Sequence, residues 1–147
     1  MVRIPTHREP THPGEMLVEE FLPGDDITVA ALFNGKRWLL VPTWHFISGR
    51  PSSSSVLGWA DRLQPWSQAR RREVIDDPGV CDQISSVIPR VCEELGVRDV
   101  CRVDARLDTH GKLRIIEING MPGLEHPVSE LVHQVAVADK PGLASFD

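Results

Sequence analysis

The chain has 147 residues, of which 41% are apolar and 25% charged, with a formal net charge of −5. These values are typical of one globular domain that buries a hydrophobic core. The acidic balance, without a long basic tract, argues against a nucleic-acid partner. No apolar stretch reaches the length of a membrane-spanning helix, and the N-terminus lacks the apolar region of a secretory signal, so we expect no membrane association.

The cysteines indicate a reducing environment. Cys81, Cys92 and Cys101 fit no zinc-binding spacing, and an odd number of cysteines argues against a secreted disulfide framework. We therefore expect three reduced and mostly buried thiols and a cytoplasmic location.

The first half of the chain predicts β-structure after an irregular lead-in at residues 1–15. The β-rich runs 16–22 and 26–33 are separated by Pro-Gly-Asp and predict a hairpin. Asn34-Gly35 predicts a second tight turn into a strand at 37–42, which would complete an antiparallel meander. Residues 42–79 show no clear period, and we expect Arg70 to Arg72 to form a solvated face and Asp77-Pro78-Gly79 to act as a stop or turn.

The second half predicts a helix, a hairpin and a second helix. Apolar residues recur at helical spacing from Ile84 to Leu95, which predicts an amphipathic helix over residues 81–97 that Pro89 kinks and Gly96 ends. Two strands at 97–108 and 112–119 follow, joined by a tight turn. A short helix is expected after Pro127.

The strand pattern places polar side chains together. A hairpin with residues 109–110 at its tip puts Asp104 opposite Ile115 and Arg102 opposite Glu117. Because successive side chains alternate between faces, one face then carries Arg102, Asp104, Glu117 and Asn119, and the other carries Cys101, Val103, Ala105, Leu107, Ile116 and Ile118.

The polar face has two interpretations. Carboxylate and amide oxygens are ligands that Mg²⁺ prefers, usually together with phosphate oxygens that an arginine also binds. Such a site serves phosphoryl transfer. The alternative is the outer face of an amphipathic hairpin, in which Arg102 and Glu117 form a cross-strand ion pair.

Three blocks, namely residues 16–32, the predicted helix and residues 101–124, resemble the C-terminal half of the ATP-grasp domain of D-alanine–D-alanine ligases. The resemblance spans about residues 16–129. It implies an α+β fold with a mostly antiparallel sheet and flanking helices, forming an ATP-grasp C-terminal subdomain at 16–138 before a tail at 139–147. It also implies an ATP- and Mg²⁺- (or Mn²⁺-) dependent ligase that activates a carboxylate as an acyl phosphate and joins it to an amine.

The resemblance assigns roles by position. Arg102 resembles the arginine that stabilises the anionic intermediate, and Gly123 the turn glycine beside the acceptor substrate. The metal ligands implied are Asp104, Glu117 and Asn119. The resemblance also implies the ATP contacts. The strand that binds adenine would comprise Glu19, Glu20, Phe21 and Leu22, and Asp26 would be the acid that binds the ribose hydroxyls.

Some family features are not matched. No lysine lies between Lys36 and Lys112, so that Arg50 or one of Arg70 to Arg72 would have to contact the ATP phosphates. Ser129 does not clearly match the substrate-contacting serine. The family's N-terminal domain and small subdomain would precede Met1, so we expect the isolated chain to be inactive. The competing hypothesis is a non-catalytic ATP-grasp fragment or nucleotide-binding remnant that needs a partner chain.

Overall fold

A computed structural model describes residues 18–47, 51, 70–124, 131–132 and 134–135. Its elements, in chain order, are β1 (Asp26–Phe33), β2 (Trp38–Ile47), β3 (Arg70–Val74), α1 (Pro78–Glu94), β4 (Val100–Leu107) and β5 (Leu113–Asn119). The strands form one sheet in the order β3-β2-β1-β4-β5, with every neighbouring pair antiparallel. The α+β fold expected from the sequence is therefore confirmed.

The β1–β2 hairpin has the turn that its sequence predicts. The Asn34 amide donates to the Arg37 carbonyl at 3.2 Å, and the Asn34 side chain accepts from the amides of Lys36 and Arg37. Gly35 has a φ of +87°, a conformation that glycine adopts without steric cost. β2 runs five residues further than expected and pairs beyond Pro42 with β3, a strand that the sequence pattern did not reveal.

The predicted hairpin between residues 16–22 and β1 is wrong. Residues 18–22 are in no strand, because β4 occupies the edge of β1 where that strand would pair. The chain before β1 instead crosses the end of β4, where the Gly24 amide donates to the Leu107 carbonyl at 3.1 Å. A Cβ at Gly24 would lie 2.4 Å from that carbonyl oxygen, so this close approach requires glycine.

Asp77-Pro78-Gly79 begins a helix, contrary to the predicted stop or turn. The Asp77 side chain accepts from the Val80 amide at 2.9 Å, and Pro78 occupies the first turn, where its missing N–H has no cost. Gly96, with a φ of +67°, follows the helix end as expected. Leu95, predicted in the apolar stripe, is 65% exposed because the helix ends at Glu94.

The hydrophobic core lies between α1 and one face of the sheet. Helix residues four apart face the sheet, and they are Val80, Ile84, Ile88 and Cys92. They pack against alternate residues of the central strands, including Ile27, Val29, Ala31, Cys101, Val103 and Ala105. Because these positions alternate along β1 and β4, the intervening side chains must occupy the opposite face, which carries the candidate site.

All three cysteines are free thiols, as expected, and Cys92 and Cys101 are fully buried in this core with their sulfur atoms 3.6 Å apart. Burial raises the pKa of Cys101 to about 12. A thiol with such a high pKa forms little thiolate at neutral pH, so this cysteine is a packing residue and no nucleophile.

Gln83 fastens α1 to the hairpin that carries the candidate site. Its amide nitrogen donates to the Gly111 carbonyl at 3.0 Å, and its amide oxygen accepts from the Leu113 amide at 2.8 Å. Replacing Gln83 by Leu should leave both backbone groups without this partner and cost about 1–3 kcal/mol in urea unfolding. Gln83→Glu is the matched variant, because it keeps the acceptor for Leu113 and should cost less. Equal losses for the two variants would contradict this role.

Candidate functional site

The hairpin of β4 and β5 contains a β-bulge. Ala105 pairs with Ile115. The preceding residue, Asp104, pairs with Glu117, so that Ile116 is an extra residue in β5. A bulge of this kind shifts the alternation of side chains by one position. Ile115 therefore packs against the core, and Ile116 is 42% exposed.

The predicted register is wrong, but the predicted polar face forms. The turn is one residue longer than expected, because the Asp108 amide donates to the Lys112 carbonyl at 2.9 Å. Beyond the bulge, Arg102 lies opposite Asn119 instead of opposite Glu117. The longer turn and the bulge together shift the pairing by two residues, which restores the original face. The prediction that Ile116 belongs to the core is wrong for the same reason.

Arg102 and Asp104 form a tight pair at the centre of this polar face. The Arg102 Nε lies 3.1 and 3.2 Å from the two carboxylate oxygens of Asp104, and NH2 lies 2.7 Å from Oδ2. Their side chains are 9% and 21% exposed, respectively. A forked contact of this kind fixes both side chains. The guanidinium is thereby held in place with its charge directed across the face.

Glu117 and Asn119 complete the group from β5. Glu117 is exposed directly opposite Asp104, and the Asn119 side-chain oxygen accepts from the Met121 amide at 3.0 Å. That bond spans Gly120, where the chain bends after β5. Among the described residues, no atom lies within 4 Å of a Cβ built at Gly123.

The donor set suits a hard divalent cation. Two carboxylates face each other across the strands with an amide oxygen beside them, and Mg²⁺ typically takes one or two carboxylates and fills its remaining positions with water or phosphate oxygens. Within the described ranges, no three His, Cys, Asp or Glu side chains gather as a metal-binding group. Two carboxylates and one amide oxygen do not fill the coordination of a divalent cation, so a cation at this face would need further ligands.

Arg106, which sequence reasoning missed, connects β4 to the chain before β1. Its Nε lies 2.9 Å from Oδ1 of Asp26, its Nη1 donates to the Leu22 carbonyl at 2.9 Å, and its guanidinium lies 5.4 Å from the centre of the Phe21 ring. The signal was present in the sequence, because Arg102, Asp104 and Arg106 alternate along one strand and so share a face.

The predicted adenine-reading residues adopt an irregular conformation. Glu19 and Glu20 are exposed, whereas Phe21 and Leu22 are partly buried against the end of β4. Asp26, the first residue of β1, is on the same sheet face as Asp104. The structure thus brings Asp26 and the residues of the polar face onto one surface, with Arg106 between them.

A short helical stretch covers the other end of this face. Leu131 packs against Ala30 and Val41. Gln134, fully buried, donates from its amide nitrogen to the Thr28 carbonyl at 2.8 Å and to the Thr43 hydroxyl at 2.9 Å. The helix predicted after Pro127 is observed at 131–132 and 134–135. Sequence reasoning did not single out Gln134, a polar residue among apolar neighbours.

The turn of the site hairpin predicts an acid-sensitive contribution to stability. Backbone hydrogen bonds from Lys112, supported by those from His110 and by Arg114, lower the pKa of Asp108 to about 2. The ionised form is therefore favoured in the folded state. Its stabilisation should be fully present above pH 4, the range of an unfolded aspartate, and lost as the pH falls to about 2. Thermal unfolding from pH 2 to 6 should show a smaller acid dependence for Asp108→Asn than for the wild type. Equal pH dependences would contradict this assignment.

Solved D-alanine–D-alanine ligases share this arrangement of sheet and helix. The D-alanyl-alanine synthetase A of Vibrio cholerae superposes with a TM-score of 0.60 at 19% identity, over 81% of this chain and 35% of that chain. The Bacillus anthracis ligase gives a TM-score of 0.58 at 19% identity, over 82% and 37%. The chain thus has the fold of the corresponding part of these ligases.

Residues 8–138 match the family model described as the D-ala D-ala ligase C-terminus, and the chain belongs to this family. An uncharacterized protein, y4sG of Sinorhizobium fredii, is 32% identical over 75% of this chain and 32% of its own length. The D-alanine–D-alanine ligase of Gloeobacter violaceus is 26% identical over 75% of this chain and 34% of its own. The chain therefore spans about a third of the length of these relatives.

No helix in the described part of the chain has the length and apolar character needed to cross a membrane. The expected cytoplasmic location stays a prediction.

Proposed function

We propose that this chain forms the nucleotide- and metal-binding part of an ATP- and Mg²⁺-dependent carboxylate–amine ligase. The observation that carries the proposal is the convergence of Arg102, Asp104, Glu117 and Asn119 on one sheet face of a member of this family. The Arg102 side chain is only 9% exposed, and the solvation free energy lost by burying a guanidinium can exceed what its ion pair returns, so we infer that the arginine is retained for binding as well as for stability.

Each residue has a role that its surroundings support. Asp104, Glu117 and Asn119 would hold Mg²⁺, which supplies charge neutralisation to the phosphate oxygens when bound. Arg102, oriented by its fork onto Asp104, would bind the oxygens that become more negative during transfer. Gly123, which follows Asn119 closely in the chain, would lie beside the acceptor amine.

The nucleotide would extend from this face toward β1. Asp26 would accept hydrogen bonds from the ribose hydroxyls, and the chain from Glu19 to Leu22 would contact adenine. The support is that Asp26 and Asp104 share a face of the sheet, one on β1 and the other on the neighbouring β4. Mn²⁺ has the same oxygen preference and would substitute for Mg²⁺.

The complete reaction would also need polypeptide outside these 147 residues, in the same chain or in a partner. The supporting observation is that the chain spans about a third of its curated relatives. Positioning and charge stabilisation dominate phosphoryl transfer, so a half-open site would lose most of the rate. Water would also hydrolyse an acyl phosphate that formed in it. A non-catalytic nucleotide-binding role is the second candidate.

Titration calorimetry of the 147-residue polypeptide with ATP tests the proposal. We expect ATP binding in the presence of Mg²⁺ that weakens when EDTA removes the metal, and no phosphate release when D-alanine is added. Absence of ATP binding with and without Mg²⁺ would contradict the proposed function. D-alanine-dependent phosphate release by this polypeptide would show that the site needs no further part.

A further inference from the structure

Arg106 is a buried cation on the site face that has no role in the metal site. It is 4% exposed, and its guanidinium reaches Asp26, the Leu22 carbonyl and the Phe21 ring, which all belong to the chain segment at 21–26. Burying a guanidinium costs solvation free energy, so the groups that Arg106 contacts are the ones that it stabilises. Here the contacts that it makes with the segment are a carboxylate, a backbone carbonyl and a ring face.

The same segment is anchored a second time, at Gly24. The Gly24 amide donates to the Leu107 carbonyl, the residue after Arg106, and a Cβ would come within 2.4 Å of that oxygen. The irregular chain before β1 is thus fixed to the end of β4 on both sides of Pro23. Segments outside regular structure are otherwise among the least stable parts of a fold.

We propose that Arg106 is a positioning residue for the nucleoside part of the ATP site, which rests on the function proposed above. The guanidinium, with its Nε 2.9 Å from Oδ1 of Asp26 and its Nη2 3.5 Å from Oδ2, would hold the Asp26 carboxylate in the orientation that receives the ribose hydroxyls. Its hydrogen bond to the Leu22 carbonyl would fix the backbone that contacts adenine. The phosphates would be bound by Arg102, and the metal by Asp104 and the two polar residues of β5. Arg106 therefore affects the binding of the nucleoside and leaves that of the triphosphate unchanged.

The experiment compares two probes, ATP and inorganic tripolyphosphate, each with Mg²⁺, by titration of the full 147-residue chain. Tripolyphosphate has the charge to meet the metal face and has no ribose or base. Arg106→Met, of similar length and apolar, should weaken ATP binding about tenfold, the equivalent of one charge-assisted hydrogen bond. Binding of tripolyphosphate should change less than about twofold, because the loss of one nucleoside contact does not reach it.

Two further variants separate positioning from stability. Arg106→Lys keeps the charge and loses the planar guanidinium, so its affinity for ATP should lie between those of the wild type and Arg106→Met, with no change for tripolyphosphate. Arg114→Met is the matched control. Arg114 lies opposite Arg106 on β5, is half exposed and pairs with Asp108, so neither probe should lose affinity. Circular dichroism should show that all variants are folded at the temperature of the titration.

The outcomes are distinguishable. Equal losses of ATP and tripolyphosphate in both Arg106 variants would assign Arg106 a general structural role and overturn the inference. Unchanged ATP affinity in Arg106→Met would also overturn it. If the wild type binds tripolyphosphate as tightly as ATP, the proposed nucleoside site and the role of Arg106 in it are refuted, whereas the proposed metal site is retained. Binding of neither probe by the wild type would refute the proposed function itself.

Discussion

Replacing Glu117 by Gln is expected to abolish most of the Mg²⁺-dependent part of ATP binding while the protein stays folded. The substitution preserves the size of the side chain. It removes the one carboxylate of the polar face that is exposed on the edge strand of the described sheet. A charge-assisted contact contributes about 1.5–3 kcal/mol, so the affinity measured with Mg²⁺ should fall at least about tenfold. Calorimetric titration with ATP, with and without Mg²⁺, measures the difference.

The stability of the metal-free protein should move in the opposite direction. Glu117 lies directly opposite Asp104, and like charges at such positions are destabilising by about 0.2–1 kcal/mol. Glu117→Gln should therefore unfold at an equal or slightly higher urea concentration. Glu94→Gln, at the exposed end of α1, is the matched control for binding and should leave the Mg²⁺-dependent affinity for ATP unchanged. A variant that loses stability and retains Mg²⁺-dependent binding would instead favour the polar face as a purely structural feature.

The local patterns in the sequence were sufficient to predict the polar face of the hairpin. Arg102 and Asp104 alternate on one strand and Glu117 and Asn119 on the next, and each pair shares a face whatever the register is. What the pattern could not supply was the β-bulge at Ile116. A bulge has no signature in the residue pattern, because its position depends on how the turn and the core pack together.

The strand pairing of β1 shows why the strand order and the burial of Arg106 could not be predicted from local sequence patterns. The chain order suggests that β1 pairs with the residues just before it, since neighbours in sequence usually pair. The structure pairs β1 with β4, more than 60 residues away, because β4 offers a longer run of apolar residues for the core face. Pairing over such a distance is decided by tertiary packing, and so is the burial of Arg106, which an isolated strand pattern leaves undetermined.

Arg102→Met should have the largest effect on the stability of the metal-free protein. The substitution removes the guanidinium that is forked onto Asp104 and leaves that carboxylate facing Glu117 without its neighbouring cation. Breaking a buried pair costs about 3–5 kcal/mol. Because the Asp104 side chain is 21% exposed and solvent screens it, we expect about 2–3 kcal/mol, or roughly 5–10 °C in Tm.

Addition of Mg²⁺ should reverse much of this loss. Without the arginine, Asp104 and Glu117 become a pair of carboxylates that only a cation can neutralise, so the rise in Tm on adding Mg²⁺ should be larger in Arg102→Met than in the wild type. The affinity for ATP should instead fall in Arg102→Met, because the guanidinium that would contact the phosphates is missing. Arg98→Met, an exposed arginine just before β4, serves as the control for the loss of one positive charge.

The double variant Arg102→Met/Glu117→Gln separates this explanation from simple loss of packing. If carboxylate repulsion causes the instability, removing the second charge should restore part of the stability, and the two substitutions should couple by about 0.5–1 kcal/mol. It should also remove the response to Mg²⁺. Additive effects of the two substitutions, together with no rise in Tm on adding Mg²⁺ in either the wild type or Arg102→Met, would mean that the face holds no metal. Arg102 would then serve only to secure Asp104 within the sheet.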